Sequence, residues 1–217
     1  MKPRDELIVE YRGLEKTPDE KWNIGNRTAH WYEYSTKFAS EYLGIGDGRS
    51  CLVIGSPVYE AMVLRERGWD VLYMDIRNPP KEVGKHIVMD ATEITLPDES
   101  FDAVSTSCVL THAGTGRYGD STKYAHGDEI MLGHIARVMK PKAKAQITFG
   151  ACYSGEKMVR LGKAHRIYTV NECERMLKEA GLSVVESKVW SFRTKTWTTE
   201  ITPDIYDPDY ISYAVVK

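Results

Sequence analysis

The stretch Ser50-Cys51-Leu52-Val53-Ile54-Gly55-Ser56-Pro57-Val58-Tyr59-Glu60 constrains the fold of this chain more than any other. Small and apolar residues run up to Gly55, and Val58, Ala61, Met62 and Leu64 then recur at helical spacing. The expected forms are a buried strand, a tight glycine turn and a helix start. A second apolar run, Val71 to Met74, ends in Asp75, which lies 20 positions (75 − 55) after the glycine. Elements in this order build a nucleotide pocket. The turn lets a ligand approach the main chain, the helix N-terminus offers N–H groups, and the carboxylate holds ribose hydroxyls.

The length of 217 residues suits one α/β domain with appendages, and a hydrophobic share of 42% supports a sizeable core. A net charge of −2 does not mark a nucleic-acid surface, so no nucleic-acid partner is expected. No apolar run reaches membrane-span length, and Met1 to Glu6 lacks the apolar core of a signal peptide. Cys51, Cys108, Cys152 and Cys173 are scattered, with no CxxC pair. A reducing, cytoplasmic setting is expected.

Residues 1–27 read as an arm or lid, with one short strand at Leu7–Tyr11. From Thr28, the residues Trp31, Tyr34, Phe38 and Tyr42 recur at steps of three and four until Gly44. This helix either packs on the first strand or walls a substrate pocket. Strands are expected at 50–54, 69–75, 86–89, 101–106, 145–149, 183–192 and 210–216. Helices are expected from Val58 to Gly68, from Asp128 to Met139, and after the capping box Thr169-Val170-Asn171-Glu172. Two long loops, 111–127 and 150–168, leave the sheet edge where chemistry is expected. The fold class is α/β: a Rossmann-like doubly wound sheet of seven strands, the last antiparallel, with the first five alternating with helices that cover both faces. Residues 1–47 form an N-terminal arm and helix, and residues 48–217 the Rossmann-like domain.

This order of elements resembles the class I S-adenosylmethionine-dependent methyltransferases over about residues 48–217. The resemblance implies S-adenosylmethionine as cofactor. It implies cofactor contacts at the turn residues Gly55 and Ser56 and at Asp75 and Ile76 after strand two; Glu60 in the first helix could meet the cofactor's amino group or complement the helix N-terminus. It further implies contacts at Asp90 and Ala91 after strand three, and at Cys108 and Leu110 after strand four. The chain departs from the usual pattern in having one glycine in the first turn, with Pro57 removing a donor. A narrower likeness rests on Gly55-Ser56-Pro57-Val58-Tyr59-Glu60-Ala61, on His112-Ala113-Gly114-Thr115-Gly116-Arg117-Tyr118-Gly119-Asp120 and on His165-Arg166-Ile167-Tyr168. It is similar to a poorly characterised methyltransferase-like branch associated with glycan genes, which implies a small-molecule or glycan acceptor.

Methyl transfer to a hydroxyl needs an in-line acceptor, exclusion of water and a proton acceptor. His112 is the first candidate base and His165 the second; either could instead hydrogen-bond its loop. Arg117 and Arg166 could grip an anionic substrate group, and Tyr118 and Tyr168 could stack on a sugar, or all four could pin loops. Gly114, Gly116 and Gly119 suit unusual backbone angles. Asp120, His126 and Asp128 fit no strong metal pattern, so no metal is expected. Cys108 and Cys152 would need an activating neighbour to act as nucleophiles. Two other readings stay open: a nicotinamide-dependent enzyme, although the G-x-G-x-x-G turn is missing, and a non-catalytic binding module. Asn78-Pro79-Pro80-Lys81 follows strand two and reads as a loop.

Overall fold

The computed structural model describes residues 6–9, 30–55, 57–118, 120, 125–161, 165–191, 193–203 and 208–217. Most of the expected arm (residues 1–5 and 10–27, with Tyr11), together with Thr28, Ser56, Gly119 and residue 192, lies outside the described residues.

Eleven strands are present among the described residues. They are β1 (Glu6–Val9), β2 (Ser50–Ile54), β3 (Asp70–Asp75), β4 (His86–Val88), β5 (Phe101–Ser107), β6 (Met139–Tyr153), β7 (Met158–Leu161), β8 (His165–Thr169), β9 (Ser183–Ser191), β10 (Thr196–Thr198) and β11 (Asp209–Val216). Four helices accompany them: α1 (His30–Leu43), α2 (Val58–Glu66), α3 (Gly127–Val138) and α4 (Val170–Glu179). The seven expected strands form the sheet β4-β3-β2-β5-β6-β11-β9. The first five are mutually parallel, and β11 runs antiparallel to both β6 and β9.

Strand β2 shows why the sheet sits at the centre. Its side chains alternate between two faces. Leu52 and Ile54 join α3 residues Met131, Leu132 and Ile135 and α4 residues Met176 and Leu177 in one core. Cys51 and Val53 join Leu43, Ala61 and Leu64 from α1 and α2 in the other. Both faces are covered, so β2 reads as one apolar run rather than an alternation. At Gly55 the chain turns with φ +55°, and a Cβ there would lie 2.7 Å from Val109 Cγ2. Pro57 then adopts φ −52° just ahead of α2.

Three expectations change. The first five strands do not all alternate with α-helices. Only a 3₁₀ turn, Lys81–Val83, stands between β3 and β4, because Pro79, Pro80 and Gly84 break the segment. Second, the loop 150–168 contains strand: β6 runs on to Tyr153, and β7 and β8 form an antiparallel pair. Strand β8 joins the main sheet beside Cys152 and Tyr153, and β1 extends this corner parallel to β7. Third, α1 lies over β5, β6, β11 and α2 as well as meeting β2, where its Leu43 shares a core with Cys51 and Val53. Its Tyr34 stacks on Trp190 at 3.9 Å between ring centroids, which ties the helix to β9. Strand β10 pairs with β9 and brings Trp197 onto the same cluster. The capping residue Thr169 accepts a bond from the Glu172 N–H at 3.1 Å, as its spacing predicts.

Candidate functional site

Parallel strands deliver their carboxyl ends to one edge, and an open cleft lies there. Gly55 ends β2 on one wall, and Asp75 ends β3 beside it. Ile76, Asp90 and Ala91 continue the wall past β4, with Met74 and Met89 supplying an apolar surface. Ser107, Cys108 and Val109 close it from β5, and His112, Tyr118 and Asp120 reach in from the following loop.

That loop is held by its own polar groups. Asp120 accepts the N–H groups of Gly116 at 3.0 Å and Tyr118 at 3.2 Å. Thr115 donates its hydroxyl to the His112 carbonyl at 2.7 Å. Gly114 and Gly116 take positive φ, +73° and +82°, which these turns require. The His112 ring meets the edge of Tyr118 at 5.5 Å and of His165 at 6.1 Å. Burial first, and the Arg117 charge second, push the pKa of His165 down to about 4. Cys108 sits at φ +66°, a strained angle for a side chain of this kind. Burial, then Glu60 and Cys152, hold its thiol well above the ordinary range, so it is a neutral wall group and not an activated nucleophile.

Other sequence-predicted residues stand outside the cleft wall. Glu60 is fully buried below it and accepts the hydroxyls of Ser105 at 2.7 Å and Ser107 at 2.8 Å. Leu110 turns into the apolar core. Arg166 is 0% exposed and donates to the carbonyls of Ala113 at 2.6 Å and Ala125 at 3.0 Å. Tyr168 is equally buried and donates to Asp128 at 2.8 Å. Arg166 thereby fastens Ala113 and Ala125, and Tyr168 ties Leu110 to Asp128. Arg117 lies beside the wall, with its guanidinium 5.4 Å from the centre of the Tyr118 ring. Of the three metal candidates, Asp120 caps its own loop, His126 pairs with Glu129 at 2.9 Å, and Asp128 serves Tyr168. The four cysteines are free, with Cys152 and Cys173 Sγ atoms 3.6 Å apart in the core.

Comparison with known proteins adds the family. Residues 43–147, close to half of the chain, match the family described as a methyltransferase domain. This stretch is similar to methyltransferase domains. It contains β2 to β5, α2, α3 and the whole cleft wall. No curated protein matches the chain. Solved structures share the fold at low identity. The 1,6-didemethyltoxoflavin-N1-methyltransferase of Burkholderia thailandensis, with bound 1,6-didemethyltoxoflavin and S-adenosylhomocysteine, has 15% identity and a TM-score of 0.66 over 87% of this chain and 78% of its own. The [4+2]-cyclase SpnF has 14% identity and a TM-score of 0.62 over 90% and 85%. The geranyl diphosphate C-methyltransferase of Streptomyces coelicolor A3(2), with Mg²⁺, geranyl diphosphate and S-adenosylhomocysteine, has 10% identity and a TM-score of 0.59 over 85% and 77%. Their reactions differ, so the shared fold does not fix the acceptor.

One residue of the cleft escaped the sequence reading. Arg77 lines the cleft and binds Asp75 three times: N–H to Oδ1 at 2.8 Å, Nε to Oδ1 at 3.1 Å and Nη2 to Oδ2 at 3.3 Å. The available signal was its place two residues after a strand-end aspartate, where an Asx-type turn aims the next N–H at the carboxylate.

Proposed function

We propose that this chain uses S-adenosylmethionine to methylate a hydroxyl of a small molecule or glycan in the cytoplasm. One observation carries the reading: Gly55 and Asp75 end neighbouring parallel strands on one cleft, which also takes in His112. The donor set fits an adenosyl ligand. Main chain is exposed at a glycine, a carboxylate stands at the next strand end, and Met74, Ile76, Met89 and Val109 offer apolar surface for a base.

The cofactor supplies an activated methyl group on a sulfonium, so the chain need only bind, orient, exclude water and take a proton. Gly55 lets the ligand's amino-acid part approach the main chain. Asp75 holds the ribose hydroxyls. Asp90, whose Oδ1 accepts the Thr92 N–H and hydroxyl at 2.8 Å each, would meet the adenine amine. His112 takes the acceptor's proton. His165, held neutral and weakly basic by its burial and by Arg117, positions the His112 ring instead. Arg117 and Tyr118 receive the acceptor, whereas Arg166 and Tyr168 hold the loop that carries them.

Calorimetric titration with S-adenosylmethionine, S-adenosylhomocysteine and NAD tests the cofactor, and a mass-shift screen of hydroxylated metabolites and glycans tests the reaction. Binding of both sulfur ligands and not NAD is expected. Asp75→Ala should weaken them at least about tenfold, the scale of lost charge-assisted hydrogen bonds. Unchanged affinity in that variant would remove Asp75 from the site. One observation favours a second reading, a binding module without turnover: Arg77 already occupies Asp75. No heat with either sulfur ligand would select that reading.

A further inference from the structure

We infer that Glu60 makes the cleft select a cationic ligand: its buried charge, set behind Ser107, favours the sulfonium form of the cofactor over the neutral thioether left after methyl transfer. The inference rests on the cofactor reading above.

The start of α2 is built against an anion. A helix N-terminus ordinarily offers N–H groups and partial positive charge to a negative ligand. Here Pro57 at the cap has no N–H, and Glu60 places a carboxylate in the first turn. That carboxylate is fully buried, and the positive helix end helps to hold its charge. Its oxygens accept the Ser105 hydroxyl at 2.7 Å and the Ser107 hydroxyl at 2.8 Å, hydrogen bonds that favour the ionised form.

Ser107 lines the cleft, so Glu60 Oε2 lies one hydroxyl behind the wall. The charge is felt at that wall: burial first, and Glu60 second, hold the thiols of Cys51 on β2 and of wall residue Cys108 above their ordinary range. Strands β2 and β5 pair with Ile54 beside Thr106, so the residues that follow, Gly55 and Ser107, reach the cleft side by side. An adenosyl ligand with its amino-acid part at Gly55 and its ribose at Asp75 places its sulfur between the two, because the sulfur joins those parts. That is the β2 tip, next to Ser107. A positive sulfur there gains from a negative charge held in a partly desolvated wall, and a neutral sulfur does not. The ligand's amino group is the same in both forms, so any attraction of it to Glu60 cancels in the comparison. Glu60 therefore holds the methyl donor more tightly than the spent cofactor, which eases release after each turnover.

The test is calorimetric titration of the full chain with S-adenosylmethionine and, separately, with S-adenosylhomocysteine. Wild type should bind S-adenosylmethionine the more tightly. Glu60→Gln, which keeps the shape and removes the charge, should lose at least about fivefold more affinity for S-adenosylmethionine than for S-adenosylhomocysteine. Glu60→Asp, which keeps the charge on a shorter arm, should retain part of the preference. Equal or tighter binding of S-adenosylhomocysteine by wild type overturns the inference without recourse to any variant, and so decides the matter even if Glu60→Gln does not fold. Equal losses for the two ligands in folded Glu60→Gln also overturn it, and leave Glu60 to the shared amino group or to the fold alone. Failure of wild type to bind either ligand overturns the cofactor reading, and the inference falls with it.

Discussion

Glu60 places a fully buried carboxylate between two hydroxyls, one of which, on Ser107, belongs to the cleft wall. A carboxylate buried this far keeps its place only if its oxygens are satisfied. The serines in turn depend on it. Ser105 has Gln146 at 2.9 Å as a further contact, and Gln146 continues through Thr148 to Ser212, so this side of the chain is buffered. Glu60→Ala should cost about 1–3 kcal/mol in urea unfolding, the scale for stranding a buried hydroxyl. Glu60→Gln, which keeps the shape and an acceptor oxygen, should cost less; equal losses would show that packing, not hydrogen bonding, sets the effect. At His112 the expectation separates catalysis from binding. His112→Ala should lower turnover by about 10²- to 10⁴-fold, the usual contribution of a positioned base, with S-adenosylhomocysteine affinity unchanged. Wild-type turnover in that variant would return His112 to the role of a loop residue.

Strand β8 and the loop above it act as one unit. The Arg166 N–H donates to the Thr111 carbonyl at 2.9 Å, and its guanidinium reaches two more carbonyls of the same loop. Asp128, 3.6 Å from Arg166 Nε, supplies the counter-charge, with neither side chain exposed. Carbonyl acceptors and a carboxylate together repay the desolvation of the guanidinium, which a lone ion pair seldom does. Removing one partner leaves the other buried and uncompensated. Arg166→Ala should therefore destabilise the chain by about 3–5 kcal/mol. Arg166→Lys should recover only part, because an ammonium lacks the fork that reaches both carbonyls. Chemical denaturation of both variants measures this. Equal stability of Arg166→Ala and wild type would release Arg166 to act on substrate.

The depth of sequence legibility follows the range of the interactions. Strand β2, its glycine turn and the carboxylate ending β3 are written in neighbouring residues; the parallel sense of β2 to β6 is legible in the sequence, but their order β4-β3-β2-β5-β6 is not. The burial of Arg166 was not legible, because its acceptors Ala113 and Ala125 lie 53 and 41 positions away. The β7–β8 pair was missed for the same reason: its value lies in bracing a remote loop. His165, first residue of β8, carries this remote packing into the behaviour of the whole molecule. Its ordinary pKa is 6.5, and its folded value lies near 4. Between those values the unfolded chain binds a proton that the folded chain refuses, so stability falls as pH drops from about 6.5 towards 4. Asp102 adds to the loss at lower pH. Burial opposes its charge, but Lys140 and Ser50 outweigh that and hold its carboxyl below the usual range, so its contribution disappears as pH falls through the lowered value. His134, lowered by burial and by Arg137, acts in the same direction as His165. His165→Gln should therefore lose less stability than wild type between pH 7 and 4.5, while retaining the losses due to His134 and Asp102. Urea midpoints at the two pH values read the difference directly, and parallel losses in the two proteins would mean that residue 165 is protonated as easily in the folded chain as in the unfolded one.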